Sequence, residues 1–233
     1  MIKVSKKDFI EIEYTGRIKE NNAVFDTTDK QVAKENALEA HAEFGPVIVC
    51  VGENQVLKGV DNSLEGREVG AEYILDVKPE NAFGAKNAKL IQMIPANKFL
   101  QQKIQPMPGM QLNIDGILGT IKTVGGGRTL VDFNHPLAGK ELSYKVKINR
   151  KIDDKKEQLV GYLKLVLATK DLEAEINDNK AKITLKIEIP KEAQEELKSK
   201  LKELISGIND IEFTVSKDKK DGGNEKSKAA INL

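Results

Sequence analysis

Val131-Asp132-Phe133-Asn134-His135-Pro136-Leu137-Ala138-Gly139-Lys140 is the stretch on which the reading of this chain turns. Taken alone it is a turn signal, with Asn, Pro and Gly between two apolar stretches. Residues 129–133 before it read as a strand. After it, Leu142, Tyr144, Val146 and Ile148 alternate with polar residues, the period of a half-buried strand. The run gains meaning from segments far upstream: Tyr14-Thr15-Gly16, Val24-Phe25-Asp26-Thr27, residues 52–70, and Ala82-Phe83-Gly84.

Composition narrows the classes. The chain has 233 residues, 39% hydrophobic and 31% charged, as expected of a globular protein of one or two domains by length. Its net charge of +1 provides no global field toward nucleic acid or membrane, so neither is an expected partner. Lysine runs such as residues 217–220 are balanced by neighbouring acids and read as solvated surface. The single cysteine, Cys50, excludes an intrachain disulfide and lies in an apolar run, so it reads as a buried, inert thiol. No signal-peptide core or bilayer-length apolar stretch is present, and the expected location is cytoplasmic.

Along the chain, residues 9–14 alternate as a strand that Gly16 is expected to end. A second strand starts near Val24, after an Asn21-Asn22 turn. Residues 29–44 are compatible with helix, 46–51 with a short buried strand, and 56–64 with a helix stopped by Gly66. Residues 72–77 alternate again. This order implies an α+β domain built on an antiparallel sheet.

Between Gly84 and Phe133 the character changes. Residues 89–94 and 110–124 read as short strands, 96–100 as a helical turn, and Gly125-Gly126-Gly127 as a hairpin turn. That glycine run lacks the Lys-Ser/Thr ending of a phosphate loop. The segment reads as an inserted domain with a core too small to be more than marginal alone. From residue 151 a third unit follows: a helix over 154–169, strands over 172–176 and 181–189 joined by Asn177-Asp178-Asn179, a helix opened by Pro190 with Leu197, Leu201, Leu204 and Ile208 as its stripe, and a strand over 211–215. The rest reads as a frayed tail. The divisions are therefore 1–86 with 133–150, 87–132, and 151–233.

Taken in order, Tyr14, Phe25-Asp26, Gly52, Val56-Leu57-Lys58-Gly59, Leu64-Glu65-Gly66, Val69-Gly70, Ala82-Phe83-Gly84 and Asn134–Gly139 resemble the FKBP-type peptidyl-prolyl isomerases. The interruption resembles the insert-in-flap domain of SlyD-like members, and the extra C-terminal αββαβ unit resembles the long archaeal form. The resemblance implies an FKBP-like antiparallel sheet wrapped on a helix, with a small β-rich insert and a C-terminal αββαβ domain. It implies catalytic roles for Tyr14, Phe25, Asp26, Phe83 and His135, and substrate contacts from Val56, Leu57, Val60, Leu137 and Tyr144. The start of the helix at Val56-Leu57 would present backbone N–H to the substrate carbonyl.

The chemistry implied needs no cofactor. Rotation about an X–Pro bond is opposed by amide resonance, with a barrier of about 20 kcal/mol. The twisted amide is less dipolar than the planar one, so an apolar pocket favours the transition state differentially. Val60 stands where the small family members have Trp, which widens the pocket. Phe83 stands where Tyr is frequent, and no Arg matches the family partner of the pocket Asp. Asp26 also has a plainer reading, as a turn or cap residue. His135 is a lone histidine without ligand spacing, and residues 219–233 hold neither His nor Cys, so no metal is implied.

Every methionine except Met1 lies in the insert: Met93, Met107 and Met110. With Ile91 and Phe99 they form an expected chaperone surface for unfolded or proline-containing polypeptides, since Met-rich surfaces accommodate many apolar partners. The plainer reading has them filling the insert's small core. The C-terminal unit carries no catalytic signature, and its sheet edges or helix stripe suit a homodimer or client contact. The rivals to an isomerase with chaperone function are a holdase without catalysis and an inactive interaction module.

Overall fold

The structure, a computed structural model, describes residues 2–38, 44–169 and 171–216. The expected tail beyond Lys217 lies outside the described residues.

Local chemistry sets most elements. β1 (Phe9–Ile18) runs through Gly16 rather than ending there. β2 (Val24–Thr27) leads into the short α1 (Lys30–Glu35), whose cap Asp29 accepts the N–H of Gln31 and Val32. β3 (Val47–Cys50) precedes α2 (Lys58–Leu64), which is followed by Gly66 in the left-handed region at φ 79°. β4 (Glu72–Val77) turns Leu75 and Val77 to the interior. β5 (Ile91–Pro95), α3 (Ala96–Gln101), β6 (Gln111–Ile114), β7 (Ile117–Gly125) and β8 (Arg128–Asp132) follow. The strand expected over 110–124 is thus two, broken by Asp115-Gly116 at φ 52° and 83°. β9 (Leu142–Lys151) buries Leu142, Tyr144, Val146 and Ile148. Asp154 caps α4 (Lys155–Val166), which ends short of the expected Thr169. β10 (Leu172–Asn177) and β11 (Lys180–Leu185) meet at Asp178 and Asn179, both of positive φ, and α5 (Lys191–Leu204) and β12 (Asp210–Val215) complete the order.

The chain forms two compact units, one of residues up to Asn81 with Glu141 onward and one of Ala82–Lys140. In the first, strands run β2-β1-β9-β4, with β3 also beside β1, and every pairing is antiparallel. A second, three-stranded sheet runs β10-β11-β12. Its β11–β12 pair is parallel, which the crossover through α5 makes possible. One hydrophobic core joins Phe9 and Cys50 of the first sheet region to Leu159, Leu163, Ile183, Leu201 and Ile208. At Gly161 of α4 any Cβ would lie 2.5 Å from the Cβ of Ile48 in β3. In the second unit the sheet order is β5-β8-β7-β6, over a small core of Phe99, Ile114, Ile121 and Val131. Among the described residues no helix is long and apolar enough to cross a membrane.

Candidate active site

Four of the expected residues meet in the first unit. Tyr14 and Gly16 on β1 stand opposite Val146 and Tyr144 on β9, and Gly16 faces Asp26 on β2. The register is what gathers them. The Tyr14 and Tyr144 rings lie 5.8 Å apart at 54°, and Phe25 meets Tyr144 edge-on at 5.8 Å and 83°. Gly16 makes this possible, because a Cβ there would sit 2.9 Å from Cζ of both Phe25 and Tyr144. Its role as a strand terminator is therefore corrected. Rings crossing from two other strands, not backbone bending, account for the glycine.

The Tyr14 hydroxyl donates to the Asp26 carboxylate, which also accepts the N–H of Thr27. Burial pushes the Asp26 carboxyl above its ordinary value, against the opposing pull of those two donors. Burial and the neighbouring Asp26 carboxylate raise the Tyr14 phenol, and the same causes raise that of Tyr144. Two buried threonines lock the corner: Thr28 Oγ1 accepts the N–H of Tyr14 at 2.8 Å, and Thr15 and Thr27 share a hydrogen bond of 2.8 Å. Neither threonine contact was foreseen, and only the strand register places them.

Val56 and Leu57 are half-buried, on the loop leading into α2, and Val60 is fully buried on the first turn of that helix. The loop is held by Asp61, 1% exposed, whose carboxylate accepts the N–H of Gly52 and of Asn54, each at 2.9 Å. Sequence reading missed Asp61. Its signal, an acid inside an apolar helix face, is intelligible once the glycine loop before it is known to need acceptors. Cys50 is buried, and burial first of all pushes its thiol up to about 12, which fits the inert reading.

In the second unit Phe83 stacks on His135, with centroids 4.3 Å apart and planes 5° from parallel. His135 is exposed, and its Nδ1 accepts the N–H of half-buried Leu137 at 3.2 Å. The turn is closed by Gly139 N–H donating to Gly84 O at 2.8 Å, so the Ala-Phe-Gly and Asn-His-Pro-Leu-Ala-Gly segments, far apart in sequence, are adjacent. Asn134 exchanges bonds with the Asn87 backbone, and Asp132 accepts from Asn134.

The insert's apolar residues divide. Met93 is 58% and Met107 56% exposed, while Ile91 and Met110 are half-buried. Phe99 is 0% exposed and lies at the centre of the small core, so it is removed from the expected surface. With few large side chains in this unit, the core claims the aromatic ring. Leu100, Ile117 and Leu118, at 61%, 58% and 50% exposure, present more apolar surface than Phe99 does. Among the described residues no group of His, Cys, Asp and Glu suited to a metal ion occurs.

Residues 2–105 match the family described as FKBP-type peptidyl-prolyl cis-trans isomerase, and residues 92–137 match the FKBP26 IF domain. A short-type peptidyl-prolyl cis-trans isomerase of Methanocaldococcus jannaschii is 34% identical over 146 residues, 62% of this chain and 92% of that one. A probable FKBP-type 16 kDa isomerase of Pseudomonas fluorescens is 33% identical over 44% of this chain and 71% of its own. For the SlyD isomerase of Pasteurella multocida the identity is 35% over 44% of this chain, which spans about half of that relative, 53%. The chain belongs to the FKBP-type peptidyl-prolyl cis-trans isomerases.

Proposed function

We propose that this chain isomerises X–Pro bonds in unfolded or nascent polypeptides, with the aromatic corner of Tyr14, Phe25 and Tyr144 around Asp26 as the reacting pocket. The observation that carries this is the single half-buried carboxylate set among three aromatic rings. Such a setting is mostly apolar, and it therefore favours the twisted, less dipolar amide over the planar one. The uncatalysed step takes roughly 10–100 s and limits folding of proline-containing chains, which defines the substrate class. Val56, Leu57 and Val60 supply aliphatic surface. Phe83, His135 and Leu137 contribute by the family resemblance. A protease-coupled assay on a proline peptide tests the reading. Asp26→Ala and Phe83→Ala should each lower turnover about tenfold, some 1.4 kcal/mol of barrier, with the fold retained.

The insert is proposed as the chaperone part of the molecule, with Met93 and Met107 as its outermost apolar contacts and Ile91 and Met110 beside them. Exposed, flexible Met side chains favour promiscuous binding of apolar segments. Tethered to the catalytic framework, such a surface raises the effective client concentration there. A holdase with little turnover is the second reading, and the same exposed residues support it. A normal client-aggregation assay combined with no peptide turnover would select it. For the αββαβ unit we propose a homodimer contact, supported by β10 and β12 both being sheet edges. Light scattering that returned a strict monomer at high concentration would remove that part.

A further inference from the structure

The loop between β3 and α2 is gripped from both sides. On the inner side, Asp61 holds the N–H of Gly52 and Asn54, and Gln55 Oε1 accepts the N–H of Cys50 at 2.7 Å. On the outer side the grip comes from α5, far along the chain. Lys200 Nζ lies 2.7 Å from Glu53 Oε2, and the Glu53 side chain is only 12% exposed. Lys200 is in turn 3.7 Å from Glu203, and Glu203 is 2.8 Å from Lys7. The backbone of Lys7 donates to Val51 O at 2.9 Å. A chain of alternating charge therefore runs from the N-terminal segment through α5 to the centre of the loop.

The path of this loop is not one that its residues adopt unaided. Gly52 has φ 92° and Asn54, a residue with a Cβ, has φ 52°. Side chains rarely favour the left-handed region, so such a path persists only while surrounding contacts determine it. Glu53 sits between those two residues, and Val56 follows three positions later. Gln55, directly before Val56, closes residues 50–55 into one hydrogen-bonded turn with Cys50, so Glu53 lies inside that turn and Val56 and Leu57 follow directly from it.

We infer that Glu53 and Lys200 are positioning residues of the isomerase, through which the C-terminal helix α5 sets the placement of Val56 and Leu57. The inference rests on the reading above that these two residues contact substrate. The Lys200 side chain is 35% exposed and that of Glu53 12%, so breaking the pair also costs some stability. A positioning role shows as a rate loss beyond it, because small displacements of binding groups are costly to rate.

The test uses the full chain with a proline peptide, and reads kcat and KM separately alongside melting temperature. Lys200→Met and Glu53→Gln are each expected to lower kcat/KM by roughly three- to tenfold, as for coupled contacts of this kind. The melting temperature should fall less in Glu53→Gln, which leaves no unpaired carboxylate, than in Lys200→Met, and kcat/KM read well below either melting point should still be reduced in both. Lys200→Arg should retain activity. The double variant should lose no more than the worse single one, since both act through one contact. Lys7→Met, which breaks the Glu203 pair without touching Glu53, should stay within about twofold of the parent. Additive losses in the double variant would overturn the inference. So would unchanged kcat/KM in Lys200→Met while Asp26→Ala is impaired, and in that case the pocket reading stands. If Asp26→Ala is also unimpaired, both fall.

Discussion

The hydroxyl of Tyr14 donates a hydrogen bond to the carboxylate of Asp26 across the β1–β2 pair. Tyr14→Phe removes that donor and leaves a half-buried carboxylate with the Thr27 N–H. A hydrogen bond to a charged group contributes about 1.5 to 3 kcal/mol. Denaturant unfolding should show a loss of about 1.5 kcal/mol, the low end because the site is only partly buried. Peptide turnover should fall as well, and full turnover in the variant would show that the hydroxyl is structural only.

Asp26→Asn should separate stability from function. The folded carboxyl is raised above its ordinary value of 3.8, chiefly by burial. Its favourable contribution is therefore complete below that value and is lost as pH rises through the folded value. At neutral pH the ionised carboxylate weakens the fold, and the Asn variant should melt higher there. The gain should vanish in acid, below about pH 3. Turnover should drop at the same time. Melting curves at several pH values check the sign, and a variant less stable at pH 7 would contradict it.

Asp132 should behave the opposite way. Burial raises its carboxyl, but the Asn134 side chain and N–H, with the Lys86 ammonium 3.4 Å away, outweigh that and hold it below the ordinary range. A depressed carboxyl contributes stability above its ordinary value, lost as pH falls through the folded one. The unit of residues 82–140 should therefore loosen in acid, below about pH 4, and Asp132→Asn should flatten that dependence. Amide exchange of β8 as a function of pH reports it.

Gly16→Ala inserts a methyl between two rings, each with an atom 2.9 Å from the new carbon. Overpacking of this kind costs about 1 to 3 kcal/mol. One ring must turn away, and turnover should fall further than the stability loss alone explains. Wild-type kinetics in a stable Gly16→Ala protein would mean the rings are not catalytic.

Replacing residues 87–132 by a short turn should leave most turnover of a small peptide while sharply slowing assistance to a proline-limited refolding protein. The Met93 and Met107 surface leaves with the insert, whereas Tyr14, Phe25, Asp26 and Tyr144 remain. Equal losses in the two assays would refute a separate client-binding role.

Much of this was legible in the chain itself. The alternation of Leu142, Tyr144, Val146 and Ile148 is a strand because pleating turns every second side chain inward, and all four are buried. Asn177-Asp178-Asn179 is a turn because residues 178 and 179 take positive φ, which short polar side chains tolerate. The motif residues Tyr14, Phe25 and Asp26 carry the resemblance in their identities. Periodicity, turn chemistry and residue type are local properties, so sequence alone determined them, together with the family.

Tertiary structure decided the rest. Gly16 looked like a strand end and is a clearance for two rings. Phe99 looked like a surface anchor and fills a core. Asp61 and Lys200 were missed, yet Asp61 holds the loop before Val56 and Lys200 pairs with Glu53 in it. Each outcome depends on which segments, from fewer than ten to more than a hundred positions apart, come to lie side by side. Close packing admits one occupant for each volume and one acceptor for each buried donor. That allocation is a property of the assembled fold, and no stretch of the chain contains it.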